Sequence, residues 1–272
     1  MITNWLVRGD CHSNFTWIDN INNYKPSDTA IIILGDAGFN FYLNKYDDKI
    51  KKWVNDRGYR IYCVRGNHEA RPHDVSNMGL MKDDEVDGVI EIEAEFPNIR
   101  YLIDGYVYQF GPYKCLCIGG AYSVDKWYRL ARGRCTEETN NPKKTGWFSN
   151  EQLTHAEMSS IQQDIYRIKV DFVFTHTCPL SFQPTDLFLG FIDQSKVDNS
   201  MEYWMEQIKD TFEWKVWCFG HYHRDRLERP HVEQYFNDIE NLDVIYKRWV
   251  DYDNNHELDW WLEKSPNFYM GR

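Results

Sequence analysis

Residues 29–36, TAIIILGD, and residues 60–67, RIYCVRGN, share one construction: an apolar, β-branched run that stops at a glycine followed by Asp or Asn. The opening NWLVRGD, residues 4–10, repeats it. Unbroken apolar runs of this length read as strands buried on both faces, as in a parallel sheet. Between them, residues 13–24 and 41–57 carry helical periodicity, with Gly58 placed to cap the second segment. A βαβαβ opening follows, and right-handed crossovers put the three polar tips on one rim of the sheet.

Downstream the pattern changes. Residues 71–95 are polar and acidic and read as a surface insertion. Three closely spaced β-like segments, 99–103, 106–110 and 114–118, are joined by Asp104-Gly105 and Gly111-Pro112, which predicts an antiparallel meander and so a second sheet. A long polar loop then runs through Lys144. A helix is expected from near Ser149, where Gln152 lies three residues on in a capping-box pattern. Residues 171–175 and 215–219 are further apolar strands, ending at His176 and at Gly220-His221. Residues 240–272 are acidic and Trp-rich, strand-like over 242–246. With no repeat or linker to divide it, the chain reads as a single domain over 1–272, with a core over about 1–235 and a C-terminal extension over about 236–272.

Composition narrows the class. The chain has 272 residues, 42% of them hydrophobic and 27% charged, a globular balance with ample material for a core. Its net charge of -11 argues against a binder of extended nucleic acid or anionic membrane, both of which need a basic footprint. No run approaches the roughly 18 apolar residues of a membrane-spanning helix, and residues 1–10 resemble no signal peptide. Seven cysteines without framework spacing suit a reducing compartment, and the expected location is cytoplasmic. Cys115 and Cys117 would share one face of a strand, but their spacing advertises no further zinc ligands.

The strand tips hold the chemistry. In order they offer Asp10 and His12, Gly35-Asp36, Gly66-Asn67-His68-Glu69, His176, and His221 with His223. Asp-x-His alone is commonly a surface pair, and Gly-Asp after a strand is commonly an ordinary turn. Five tips, each placed where an α/β sheet presents its loops, are different: together they gather carboxylate, imidazole and carboxamide groups that are costly to collect unpaired.

This succession resembles the calcineurin-like metallophosphoesterase superfamily, whose pattern is Asp-x-His, Gly-Asp, Gly-Asn-His-Glu, a lone His and Gly-His-x-His. Every ligand position is filled between Asp10 and His223. The resemblance implies an α/β fold of two mixed β-sheets packed face to face and flanked by helices. It implies one metal held by Asp10, His12, Asp36 and His223 and a second by Asp36, Asn67, His176 and His221. Asp36 would bridge the roughly 3.5–4 Å separation that two-metal hydrolysis needs. Nitrogen and oxygen donors leave Mn, Fe or Zn, as two divalent or mixed-valence ions per chain.

The resemblance also implies that His68 is a general acid beside the leaving oxygen, with a metal-bridging hydroxide attacking from the opposite side. Glu69 would orient the loop. One departure matters: where protein-phosphatase members carry Asp-Arg-Gly, this chain has Phe39-Asn40-Phe41, which removes the Asp that would orient the catalytic His and a phosphate-binding Arg. Substrate contacts are therefore sought in Arg71 and, after Gly119-Gly120, in Tyr122, Ser123, Asp125 and Arg129. Residues 122–148, basic in an acidic chain, form a candidate lid. The expected partner is a small phosphoester. A phosphodiesterase or nuclease using the same centre is the alternative, followed by a non-catalytic metal-binding scaffold.

Overall fold

The computed structural model describes residues 1–255. The chain runs through β1 (Asn4–Arg8), β2 (Thr29–Leu34), α1 (Lys45–Asn55), β3 (Arg60–Val64), β4 (Met78–Asp83), β5 (Gly88–Glu93), β6 (Ile99–Leu102), β7 (Val107–Phe110) and β8 (Tyr113–Ile118). It continues through α2 (Lys126–Gly133), α3 (Pro142–Thr145), α4 (His155–Asp164), β9 (Lys169–Thr175), α5 (Ser200–Ile208) and β10 (Glu213–Phe219). Last come β11 (Arg226–Arg229), β12 (Val232–Gln234), β13 (Ile239–Asn241) and α6 (Leu242–Asn255).

These strands form two mixed sheets, one of seven strands in the order β13-β1-β2-β3-β6-β5-β4 and one of six in the order β11-β12-β10-β9-β8-β7. The centre of each is parallel: β1, β2, β3 and β6 in the first, β8, β9, β10 and β12 in the second. Burial on both faces explains the apolar runs. Ala30, Ile32 and Leu34 of β2 point between the sheets, where they meet residues such as Phe172 and Phe174 of β9 and Cys218 of β10. Ile31 and Ile33 face outward onto Val54 of α1 and onto Phe15 and Ile18. On the far side, Val173 and Trp217 pack under Met158 and Ile161 of α4 and Trp204 and Met205 of α5. This is the expected sandwich of two mixed sheets flanked by helices.

Several local expectations are corrected. Residues 71–95 are not a loop insertion: β4 and β5 form the antiparallel edge of the first sheet, and Val86 and Ile90 reach the core. The three segments from 99 to 118 are not one meander, because β6 pairs parallel with β3 while β7 and β8 form a hairpin in the other sheet. The chain crosses between sheets at Asp104-Gly105. Residues 13–24 contain only a 3-10 segment, Thr16–Asn20, and the second helical segment is shortened to α1, capped by the Asn44 side chain. The loop through Lys144 contains α2 and α3. Helix α4 begins six residues beyond Ser149, and its capping box is Thr154 with Glu157.

The expected core boundary near 235 also moves. Strand β13 pairs with β1, and residues 242–246 belong to a helix, α6, which buries Leu242, Ile245 and Trp249 in the inter-sheet core. The remainder of the expected extension, 256–272, lies outside the described residues, as does His256. The two thiols of Cys115 and Cys117 do share a face, and it is the inter-sheet core, where burial pushes both well above the ordinary cysteine pKa. No helix among the described residues is long and apolar enough to cross a membrane.

Candidate metal centre

The parallel strands of both sheets end at one place, so their tips converge. Asp10 and His12 follow β1, Asp36 follows β2, Asn67 and His68 follow β3, His176 follows β9, and His221 and His223 follow β10. Glycines permit the approach: a Cβ on Gly66 would collide with the Asp36 carboxylate, and one on Gly35, at φ +91°, with the His176 ring. Four of the seven candidate ligands, His12, Asp36, His221 and His223, themselves sit at positive φ, between 44° and 66°. For side chains other than glycine this conformation costs roughly 1–2 kcal/mol each.

Asp10, Asp36, Asn67 and His176 are almost completely buried, whereas His12 and His223 are exposed at the mouth. Ligand atoms of Asp10, His12 and His223 all lie within 4.8 Å of one another, and so do those of Asp10, Asp36 and His176. His223 Nε2 stands 3.2 Å from Asp10 Oδ2 and 2.9 Å from His12 Nε2. Asp36 Oδ2 has three imidazole nitrogens around it, at 3.6 Å (His176), 3.9 Å (His12) and 4.0 Å (His68). Asn67 Oδ1 lies 2.8 Å from His176 Nε2, and the His221 ring is 5.0 Å from the His176 ring, centre to centre. All seven candidate ligands and His68 thus come together.

Backbone amides decide which carboxylate oxygens remain available. The His221 N–H donates to Asp10 Oδ1 at 2.9 Å and the His68 N–H to Asp36 Oδ1 at 2.8 Å. The other oxygen of each, Oδ2, is buried beside imidazole nitrogens, 3.2 Å from His223 for Asp10 and 3.6 Å from His176 for Asp36, without a well-aligned hydrogen bond among the described residues. Two buried anionic oxygens without aligned donors would carry a large desolvation penalty unless a cation joined them. Their effect on the histidines is visible. Burial opposes charge on His176, but Asp36 and then Asp10 outweigh it and raise its pKa to about 9. Burial, followed by the His176 charge, pushes His221 down to about 3. Asp36 is held well below the ordinary carboxylate value, because His176 and His68 overcome its burial. The donor set, carboxylate oxygens, imidazoles and one carboxamide, fits divalent transition metals.

Further residues hold these ligands in place. His176 Nδ1 is fixed by the Leu34 carbonyl at 2.8 Å, which turns Nε2 toward the cluster. The Asn67 amide donates to Ser123 Oγ at 2.8 Å, and Ser123 Oγ in turn donates to Glu151 Oε2 at 2.5 Å. Its carbonyl oxygen consequently faces inward. Glu69 accepts from the Gly38 and Gly66 amides at 3.0 and 3.1 Å and so ties the second and third tips together. Arg65 bonds to Asp104 and to the carbonyls of Gly119 and Glu151, joining the two sheets beneath the cluster.

The proposed substrate contacts divide. Tyr122, Ser123 and Asp125 line a cavity of about 280 Å³ that opens from the cluster, although Ser123 chiefly supports Asn67. Arg71 is not brought there: it is 6% exposed, with its guanidinium on Glu157 and on the carbonyls of Asn150 and Gln152. Arg129 is paired with Asp125 at 2.7 Å and bonded to the Gly146 carbonyl, and it does not line the cavity. His68 does line it, its Nδ1 buried without a partner among the described residues. Burial lowers its pKa, Asp36 opposes, and Arg129 and Asp125 act with opposite signs. Glu151 and Glu202 are the site residues that sequence reasoning missed. No motif marks either, since each acts through a side chain brought near by folding.

The family profile described as calcineurin-like phosphoesterase matches residues 5–225. The chain belongs to that family. Membership in the calcineurin-like phosphoesterases implies a metal-dependent hydrolase, and the matched span includes every strand tip described above. A solved crystal structure superposes with a TM-score of 0.48 at 12% identity, covering 90% of this chain and 96% of the other. Comparison with curated proteins finds no match.

Proposed function

We propose that the protein is a two-metal hydrolase of small phosphoesters. The observation that carries the reading is the pair of buried oxygens without a well-aligned hydrogen bond, Asp10 Oδ2 and Asp36 Oδ2, set among the histidines of the cluster. Asp10, His12, Asp36 and His223 would hold one ion, and Asp36, Asn67, His176 and His221 the other. Asp36 Oδ1 accepts the His68 amide, so Oδ2 is the oxygen Asp36 would offer to bound metal. The chemistry that divalent metals supply in such a site is polarisation of a phosphoryl group and activation of the attacking water.

The chain's own residues do the rest. His68 stands in the cavity wall, held through its backbone by Asp36, and donates a proton to the departing alkoxide. Burial lowers its pKa in the free site, and the approach of a phosphoryl anion would favour its protonated form. Ser123 and Glu151 keep the Asn67 carbonyl turned toward His176, where it could hold metal.

One observation favours phosphodiesters as a second reading. Among the described residues no Lys or Arg lines the cavity, so a monoester dianion lacks the side-chain clamp that a diester monoanion needs less. The net charge of -11 favours a small ester over extended nucleic acid in either case. The test measures bound metal by elemental analysis after loading with Mn, Fe or Zn, together with turnover of an aryl monoester and an aryl diester. A fully loaded protein that turns over neither would refute the hydrolase reading and promote the scaffold.

A further inference from the structure

The cavity extends beyond what a phosphoryl group fills. Its inner end is the cluster itself, with Asp36, Asn67 and His68, while Leu187, Phe188, Ile192 and Val197 make an apolar wall on the segment between β9 and α5. Phe188 stacks on Tyr222 with ring centres 6.3 Å apart and planes 20° apart. Since Tyr222 lies between His221 and His223, this aromatic platform leads directly off the metal ligands. Leu189 and Phe191 on the same segment are 48% and 82% exposed, so the rim is apolar as well.

Glu202 of α5 is the exception in that wall. It is 3% exposed, Oε1 accepts from Thr177 Oγ1 at 2.6 Å, and Oε2 has no partner among the described residues although the side chain lines the cavity. Thr177 is the residue after His176, which puts Glu202 one side chain away from the metal ligands. The neighbouring amides do not serve it. Gln183 Nε2 is directed at Asn199 Oδ1 (3.2 Å) and the Tyr222 hydroxyl (3.3 Å). A buried carboxylate oxygen left without a donor is costly, and a donor on a bound molecule removes that cost. Beyond the cluster the acidic side chains lining the cavity are Glu202, whose pKa burial raises to about 7, and Asp125, which is paired with Arg129.

We propose that this cavity is a leaving-group pocket that selects an apolar, flat group carrying a hydrogen-bond donor for Glu202 and no negative charge. The phosphoryl group would sit at the cluster, the ring would lie between the Phe188–Tyr222 platform and Val124, and an O–H or N–H would reach Glu202 Oε2. A second phosphate or a carboxylate on the leaving group finds acidic side chains and, among the described residues, no Lys or Arg lining the cavity, and is disfavoured. This selection rests on the hydrolase reading above for the position of the phosphoryl group.

The experiment uses two matched series on the Mn-loaded protein. Ring-substituted 2-phenylethyl phosphates share nearly the same leaving alcohol and report turnover. The corresponding 3-phenylpropylphosphonates cannot be hydrolysed and report binding by calorimetry. Each series carries hydrogen, hydroxyl at the meta or para position, methoxy, or carboxylate. At about pH 8, above the raised Glu202 pKa of about 7, the better hydroxyl isomer is expected to exceed methoxy by about 10-fold or more, the range for a hydrogen bond to a charged acceptor, and carboxylate to fall below hydrogen. Glu202→Gln should shrink the hydroxyl-to-methoxy ratio. Should that variant fail to fold, Phe188→Ala serves instead, and should lower the ratio of phenylethyl to methyl ester. Equal binding of hydroxyl and methoxy phosphonates, or carboxylate bound as well as hydrogen, overturns the pocket assignment. Phosphonates that rank as stated while no ester is turned over leave the pocket standing and refute the hydrolase reading.

Discussion

Replacing Ser123 with Ala tests whether the Asn67 carboxamide is held for a metal. Asn67 is fully buried, and its amide has two faces to offer. The Nδ2 bond to Ser123 Oγ, itself anchored on Glu151, directs nitrogen outward and Oδ1 toward His176. Removing the hydroxyl strands the Asn67 donor and takes a donor from Glu151 Oε2. A stranded buried donor costs roughly 1–3 kcal/mol. Glu151 limits its own share by taking up a proton, because burial already raises its pKa to about 7 and loss of the Ser123 hydroxyl bond raises it further, while the Ser123 backbone N–H still donates to it. A net destabilisation of about 2 kcal/mol follows. The effect on metal is separate. Losing roughly 1.4 kcal/mol of preference for the correct amide orientation weakens the site using Asn67 about 10-fold, within the 10–100-fold range for residues that orient ligands. Calorimetric Mn titration gives the affinities, and denaturant unfolding without metal gives the stability. A variant destabilised by about 2 kcal/mol that binds both ions with wild-type affinity would show that Ser123 supports only the fold.

Asp36→Asn should lower occupancy of both metals together, since a neutral amide replaces the shared anionic oxygen; elemental analysis that found two ions at wild-type affinity would remove Asp36 from the bridge. For His68→Ala, metal content should stay near normal while turnover drops about 100-fold or more, least for esters with very acidic leaving groups; equal losses on activated and unactivated esters would contradict the general-acid role. Arg71→Met should cost roughly 1–3 kcal/mol of stability at pH 7, because the Asn150 and Gln152 carbonyls lose their donor while the more exposed Glu157 is partly screened by solvent, and leave kcat/KM for a small ester near wild type. Glu157 has its pKa lowered to about 2: burial opposes, and Arg71 and Thr154 prevail. Its folded pKa is depressed, so its stabilisation is present above the unfolded value and is lost as pH falls toward 2; the gap in urea midpoint between variant and wild type should narrow below about pH 4.5. Duplex DNA should be a poor substrate beside an aryl ester at every salt concentration, and tight, steeply salt-dependent cleavage would promote the nuclease reading.

Legibility of the fold followed burial. Strands β1, β2 and β3 were readable because both faces are covered and the run of side chains is uniformly apolar. The edge hairpin was not: most of β4 is exposed, so its composition matches that of a loop, and only Val86 and Ile90 betray the core contact. The split of β6 from β7 was hidden for another reason. A short turn at Asp104-Gly105 looks the same whether the next strand pairs with the last or crosses to another sheet, and only long-range partners decide it. In α6 the apolar period was present in Leu242, Ile245 and Trp249, but the β-branched Val244 and Ile245 and the adjacent Tyr246 gave a strand signal over the shorter window.

The site divides along a different line. Side-chain type at the strand tips, together with the family resemblance, marked Asp10, His12, Asp36, Asn67, His176, His221 and His223 as candidate ligands, and the fold brings these side chains together. Which atom each presents is a property of the backbone, and nothing in residue type announced it. His12, Asp36, His221 and His223 adopt left-handed conformations without being glycine, at roughly 1–2 kcal/mol each. The two hydrogen bonds that leave the Oδ2 atoms free run from one strand tip to another: His221 of the second sheet fixes Asp10 of the first, and His68 fixes Asp36. The oxygens therefore become available only when the tips are assembled together. The positive-φ residues lie in three turns, two of which also carry the buried Oδ2 atoms, and a bound cation would compensate that charge and offset the cost of the strained turns. That makes metal loading a stabiliser of the joint between the sheets as well as a requirement for chemistry, with stability rising as RT ln(1 + [M]/Kd) for each site bound only by the folded chain.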